Sequence, residues 1–177
     1  MPYIVGVDGC PAGWIALIEN TETGRITAHV FLTFRDLVIA RDAIFAIDIP
    51  IGLTECGPRE CDLLARNRLG PKRGTSVFPA PVRAALIAST YADAKAASID
   101  AQKKGISKQA FEIYPKIREV DDALRSDPDL REKVFEIHPE LTFSKWAEGS
   151  DSCTKKNVGR ARDPSGSNRR SFRSNGI

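Results

Sequence analysis

The chain has 177 residues, 42% of them apolar and 28% charged, which suits one globular domain with a sizeable core. No apolar run approaches the ~18 residues that a membrane helix needs, and no basic segment followed by a long apolar stretch opens the chain, so neither a membrane span nor a secretion signal is expected. The net charge of +3 is unevenly spread: residues 151–177 hold seven Lys and Arg against two acids, and the first 150 residues are slightly acidic. The domain itself is not a basic protein; its tail is.

The first fifty residues read as three strands, a helix and a fourth strand. Tyr3–Val7 is apolar around Gly6, Trp14–Ile18 is followed by the turn-like Asn20-Thr21-Glu22-Thr23-Gly24, and Ile26–Phe31 completes a meander. Phe34–Arg41 reads as a short helix, and Ile44–Ile49 as the fourth strand, closed by Pro50 and Gly52. A strand reached through a helix is expected to pair in parallel.

The middle reads as helical. Pro58–Leu69 places Cys61, Leu64, Ala65 and Leu69 at spacings of one to four, with Gly70 just beyond. Residues 81–89 and 93–104 are further helices, and 107–125 is another, which Pro115 should kink or split. Val134–Ile137 gives a fifth strand. From Asp151 the apolar periodicity stops, and the Ser, Gly, Asn and Arg content predicts a disordered basic tail. The reading is therefore a domain over 1–150, with a helical insertion over about 55–130, and a tail over 151–177. Four cysteines (Cys10, Cys56, Cys61, Cys153) have no paired spacing; reduced thiols in a cytoplasmic protein are the expectation.

Acids stand at strand positions. Asp8 follows Ile4-Val5-Gly6-Val7, Asp48 interrupts the fourth strand, and Glu136, His138 and Glu140 surround the fifth. A buried carboxylate is costly unless paired or bound to a metal. Converging carboxylates raise one another's pKa until a cation neutralises them, and oxygen ligands suit Mg²⁺ or Mn²⁺. The competing local reading has Asp48 capping a turn and Asp8 closing an Asx-turn with the Cys10-Pro11 loop. Between Cys61 and Leu86, Arg66, Arg73, Ser76 and Arg83 surround a Gly- and Pro-containing loop. They offer guanidinium and hydroxyl groups to a phosphate, or form an ordinary solvated face.

The order "VGVDGCPAGW", "AIDIPIGL", "CDLLARNRLGPKRGTSVF", "FEIYPKIREVDDAL" and "FEIHPELTFSKW" resembles the family of predicted ribonuclease-H-like nucleases (domain of unknown function 429), over roughly residues 3–159. The resemblance implies an α/β ribonuclease-H-like fold: a five-stranded mixed sheet, antiparallel for its first three strands, flanked by helices. It implies catalytic roles for Asp8, Asp48, Glu136, His138 and Glu140, with Asp8, Asp48 and Glu136 as ligands of Mg²⁺ or Mn²⁺. Arg66, Arg73, Ser76 and Arg83 match polar positions of the helical insertion, and Lys155 and Lys156 a basic pair after the fifth strand; these are the implied substrate contacts. The resemblance fades after Gly159, where such folds carry a further acid on a C-terminal helix; a truncated or altered C-terminus is expected.

The leading function is thus a metal-dependent nuclease or phosphodiesterase acting on DNA, RNA or a phosphorylated small molecule. One alternative is a catalytically impaired protein that binds nucleic acid or a partner, dimerising over the gap. The other is a nucleotide-phosphate-binding enzyme of the actin or sugar-kinase type, since those also begin with a strand ending in Asp-Gly.

Overall fold

A computed structural model describes residues 2–39 and 42–150; the predicted tail and its Lys155 and Lys156 lie outside the described residues. Five strands form one mixed sheet: β1 (Tyr3–Cys10), β2 (Gly13–Asn20), β3 (Ile26–Phe31), β4 (Ala43–Ile47) and β5 (Val134–Glu136), in the spatial order β3-β2-β1-β4-β5. β1, β2 and β3 form an antiparallel meander, and β4 and β5 run parallel to β1. The fold is α/β, with the predicted meander and parallel fourth strand.

The β1–β2 turn is tight enough to demand glycine. Gly13 has φ +128, and a Cβ there would lie 2.2 Å from the Phe31 carbonyl oxygen, a conformation and a space only glycine tolerates. After β3, Thr33 caps α1 (Phe34–Leu37) by accepting from the Asp36 N–H. α1 is shorter than the predicted Phe34–Arg41.

The insertion between β4 and β5 holds α2 (Glu60–Arg73), a 3₁₀ turn (Gly74–Ser76), α3 (Arg83–Leu86), α4 (Tyr91–Gln102), α5 (Lys108–Ser126) and α6 (Pro128–Arg131). Gly70 breaks α2 as its position predicts, at φ 71 and ψ 179, and Pro71 restarts the helix beyond it. Of the two outcomes expected at Pro115, the split does not occur: α5 runs through it as one helix. Pro115 lies on the exposed side, where water can satisfy the carbonyl it frees, while Tyr114, Ile117, Val120 and Leu124 stay anchored in the core. A final helix, α7 (Pro139–Ser150), follows β5 directly.

The core lies on one side of the sheet. Val5, Val7, Trp14, Ala16, Phe45 and Ile47 are buried there against Phe34 and Leu37 of α1 and Tyr114, Ile117 and Val120 of α5. Trp14 is fully buried. Its indole N–H donates to Glu119 Oε2 (3.0 Å), and the other oxygen of Glu119 accepts the Phe34 N–H at the start of α1. One carboxylate on α5 thereby joins the helix to both the meander and α1.

Candidate acidic site at the strand ends

The parallel register brings two of the predicted acids together. Val7 pairs with Ile47, and Ile47 with Glu136. One residue further, Asp8 and Asp48 leave adjacent strands on the side opposite the buried Val7 and Ile47. Asp48 is not inside β4, which ends at Ile47; both aspartates are exposed.

A cavity of about 580 Å³ opens over these strand ends. Asp8, Asp48 and Glu136 line it from the sheet, His138 and Glu140 from the β5–α7 junction, Arg59, Asp62, Ser76 and Phe78 from the insertion, and Glu112 and Lys116 from α5. All five predicted catalytic residues therefore border one space. Glu140 does so from the first turn of α7, a helix the sequence reading did not assign; the segment after Gly159, where no acid-bearing helix is expected, lies outside the described residues. Pro139 at its first position and the acid beside it are an ordinary helix start.

Burial raises the Asp48 carboxyl above its ordinary value; the His138 charge opposes this, and the negative charges of Asp8, Glu140 and Glu136 reinforce it. Asp48 is thus open to solvent on one side and hemmed in by like charge on the other. Asp8 Oδ1 accepts the N–H of its neighbour Gly9 at 2.7 Å, a local contact of the kind a turn reading expects. His138 Nδ1 lies 3.3 Å from Glu140 Oε2, but the angle is wrong for a hydrogen bond, and the buried nitrogen has none.

Glu136 has a different occupation. Arg59 Nη1 and Nη2 donate to its two oxygens at 2.6 and 2.7 Å, and the Ile51 N–H donates to Oε2 at 2.8 Å. Arg59 also donates to Asp62 (Nη2 to Oδ1, 2.5 Å) and to the Ile51 carbonyl (2.7 Å). Arg59 is 5% exposed. Burial works against its charge, but the hydrogen bonds it donates to Glu136 and Asp62 outweigh this and push the guanidinium pKa upward. Glu136 is therefore paired with a protein cation, which competes with any metal ion for its oxygens. Among the described residues, no three His, Cys, Asp or Glu side chains are already grouped to hold an ion.

The predicted phosphate contacts scatter. Arg66 Nη2 donates to the Val77 carbonyl (3.0 Å), Arg73 Nη2 reaches Ser144 Oγ (3.5 Å), and Arg83 pairs with Asp121 (2.8 Å) and Glu55 (3.5 Å). Of the four, only Ser76 lines the acidic cavity. Its hydroxyl donates to the Arg73 carbonyl at 2.7 Å.

Sequence reasoning missed Arg59, Asp62, Glu112 and Lys116. Lys116 Nζ donates to the Gly13 carbonyl (2.5 Å) and lies 4.5 Å from the Trp14 ring centroid. The i,i+3 spacing of Arg59 and Asp62 and the i,i+4 spacing of Glu112 and Lys116 were the available signals, and both look like ordinary helix-surface pairs. Cys61 also borders the cavity, but burial pushes its thiol pKa up despite the nearby Arg59, the opposite of an activated nucleophile.

No helix among the described residues is long and apolar enough to cross a membrane. Neither a curated protein nor a solved structure matches the chain. The profile of a family described as "Protein of unknown function (DUF429)" matches residues 6–173, continuing past Gly159, where the motif resemblance was expected to fade. With nearly its whole length matched, the chain belongs to this family of proteins of unknown function.

Proposed function

We propose that the chain is a ribonuclease-H-like, Mg²⁺- or Mn²⁺-dependent phosphodiester hydrolase acting on nucleic acid or a phosphorylated small molecule. The observation that carries this reading is Asp8 beside Asp48 on adjacent parallel strand ends, with no protein cation ion-paired to either among the described residues, while Glu136 and Asp62 are paired with Arg59. The sheet order with its antiparallel first three strands supports the fold assignment.

The donor set fits a hard cation. Mg²⁺ is commonly held by one or two carboxylates, with water and substrate phosphate completing the shell. Asp8 and Asp48 would hold it, with Glu140 nearby. When bound, the ion supplies charge neutralisation at the phosphoryl group and an activated water. The chain's own residues do the rest. The cavity lining is rich in acid, so an anionic substrate needs the cation before it can enter. His138, with its unsatisfied Nδ1 beside Glu140, is placed to hold or pass a proton. Arg59 and Glu136 position the Ile51 backbone and brace the strand ends. The actin-type reading needs open backbone N–H groups at the β1–β2 turn, where Pro11 supplies none and Trp14 is bulky.

Calorimetry with Mn²⁺ on wild type and Asp48→Asn tests the proposal, followed by hydrolysis of a single-stranded oligonucleotide. Wild type should bind and cleave; the variant should lose binding, and its cleavage should fall by orders of magnitude. Unchanged Mn²⁺ binding in Asp48→Asn overturns the reading. The second reading, a non-catalytic polyanion-binding protein, is favoured by the concentration of seven cations in residues 151–177. It predicts salt-steep oligonucleotide binding that vanishes when those residues are deleted.

A further inference from the structure

We propose that a second copy of this chain packs against the open face of the sheet. Strand alternation sends one set of side chains into the core and the other to the opposite face. That opposite face carries Ile26 and Val30 on β3, Ile15 and Leu17 on β2, Ile4 on β1, Ile44 on β4 and Phe135 on β5. Their exposures run from 38% for Ile44 to 63% for Ile26. A Cβ built on Gly6, in the middle of the central strand, would meet nothing within 4 Å. Among the described residues, no helix covers this face.

Three observations select the occupant. The first is area. The exposed surface of these seven residues is on the order of 700 Å², above the ~300–600 Å² of the largest patch on an ordinary monomer and close to the ~800 Å² per partner of a stable interface. The second is charge. The middle row of the face, Ala28, Leu17, Gly6, Ala46 and Phe135, is uncharged, with Glu19 in the row at one end and Asp8 in the row at the other, so two copies that meet over the middle row about a two-fold axis leave these acids in a solvated rim. Two flat apolar faces pack at the ~10 Å spacing of a β-sandwich. The third is the composition of residues 151–177. Their large apolar residues are Val158, Phe172 and Ile177 among seven cations, too few to cover seven apolar side chains. The proposal stands independently of the chemistry at the cavity. Because Asp8 and Asp48 sit at the end of this same face, the second copy flanks the acidic site.

Sedimentation velocity on the full chain at micromolar concentrations is the test, with circular dichroism as the folding control. Wild type should sediment as a dimer of the 19.4 kDa chain, and Leu17→Lys as a folded monomer. If Leu17→Lys does not fold, Val30→Lys on the edge strand is read instead. A wild-type monomer overturns the proposal. So does a dimer that persists in the folded variant, because its interface then lies elsewhere, and so does open-ended aggregation. A monomer whose β1 and β2 amides lose exchange protection when residues 151–177 are deleted assigns the face to that segment and overturns it as well.

Discussion

Asp48 is the residue whose environment departs most clearly from its chemistry. Its carboxyl is raised in the folded state by burial and by the charges of Asp8, Glu140 and Glu136. The folded chain thus binds a proton there more readily than the unfolded chain, and ionising Asp48 costs stability at neutral pH. In metal-free buffer, Asp48→Asn should therefore raise Tm at pH 7. The gain should shrink as pH falls through the raised pKa and vanish below the ordinary value of 3.8. Thermal melts of both proteins across that range check it; a variant less stable than wild type at pH 7 would contradict it. At this scale the sequence was informative about acids and poor about cations. Asp8, Asp48, Glu136, His138 and Glu140 were legible because an acid at the end of an apolar strand violates the local pattern. Lys116 violates nothing on a helix surface, whereas Arg59, at the N-terminal end of α2 where a cation is disfavoured, was a signal the sequence reading passed over; only the tertiary fold turns both toward the strand ends.

Among the elements, α5 is the one that ties the molecule together. Its Glu119 accepts the buried Trp14 indole N–H and the Phe34 N–H, and no other partner replaces it at either donor among the described hydrogen bonds. Glu119→Ala leaves both donors without a partner and should cost about 3 kcal/mol. Glu119→Gln keeps one carbonyl acceptor and should cost about half as much. Urea titrations followed by tryptophan fluorescence measure both, and equal losses in the two variants would show that packing, rather than the acceptor, matters. The strands were legible from apolar runs, and the α2 break from Gly70-Pro71. The expected alternative of a split at Pro115 did not occur, because the apolar face of α5 holds the helix together across a single missing hydrogen bond. α7 was missed because the reading went from the fifth strand to the tail without taking Pro139 and the acid beside it as a helix start.

Among the described residues, α1 and α5 pack on one face of the sheet and the other face presents apolar side chains; the two ends of the sheet differ in chemistry. The acids gather at the C-terminal ends of β1, β4 and β5, the position where open α/β sheets place ligands. The topology behind that placement was foreseeable from element order; the bare second face was not, because alternation in β2 and β3 says which residues share a face, not which face is covered. The central place of β1 has a further consequence, in time. β1 joins its meander neighbour through a two-residue turn, but joins β4 only after α1, and β4 joins β5 only after the whole insertion. Closing the longer loops costs more entropy before any contact repays it. The meander should therefore form first and template the parallel half. Ala16→Gly in β2 should slow refolding, whereas Phe45→Leu in β4 should chiefly hasten unfolding. A nascent chain held at the end of β3 would already carry the surface on which the remainder assembles.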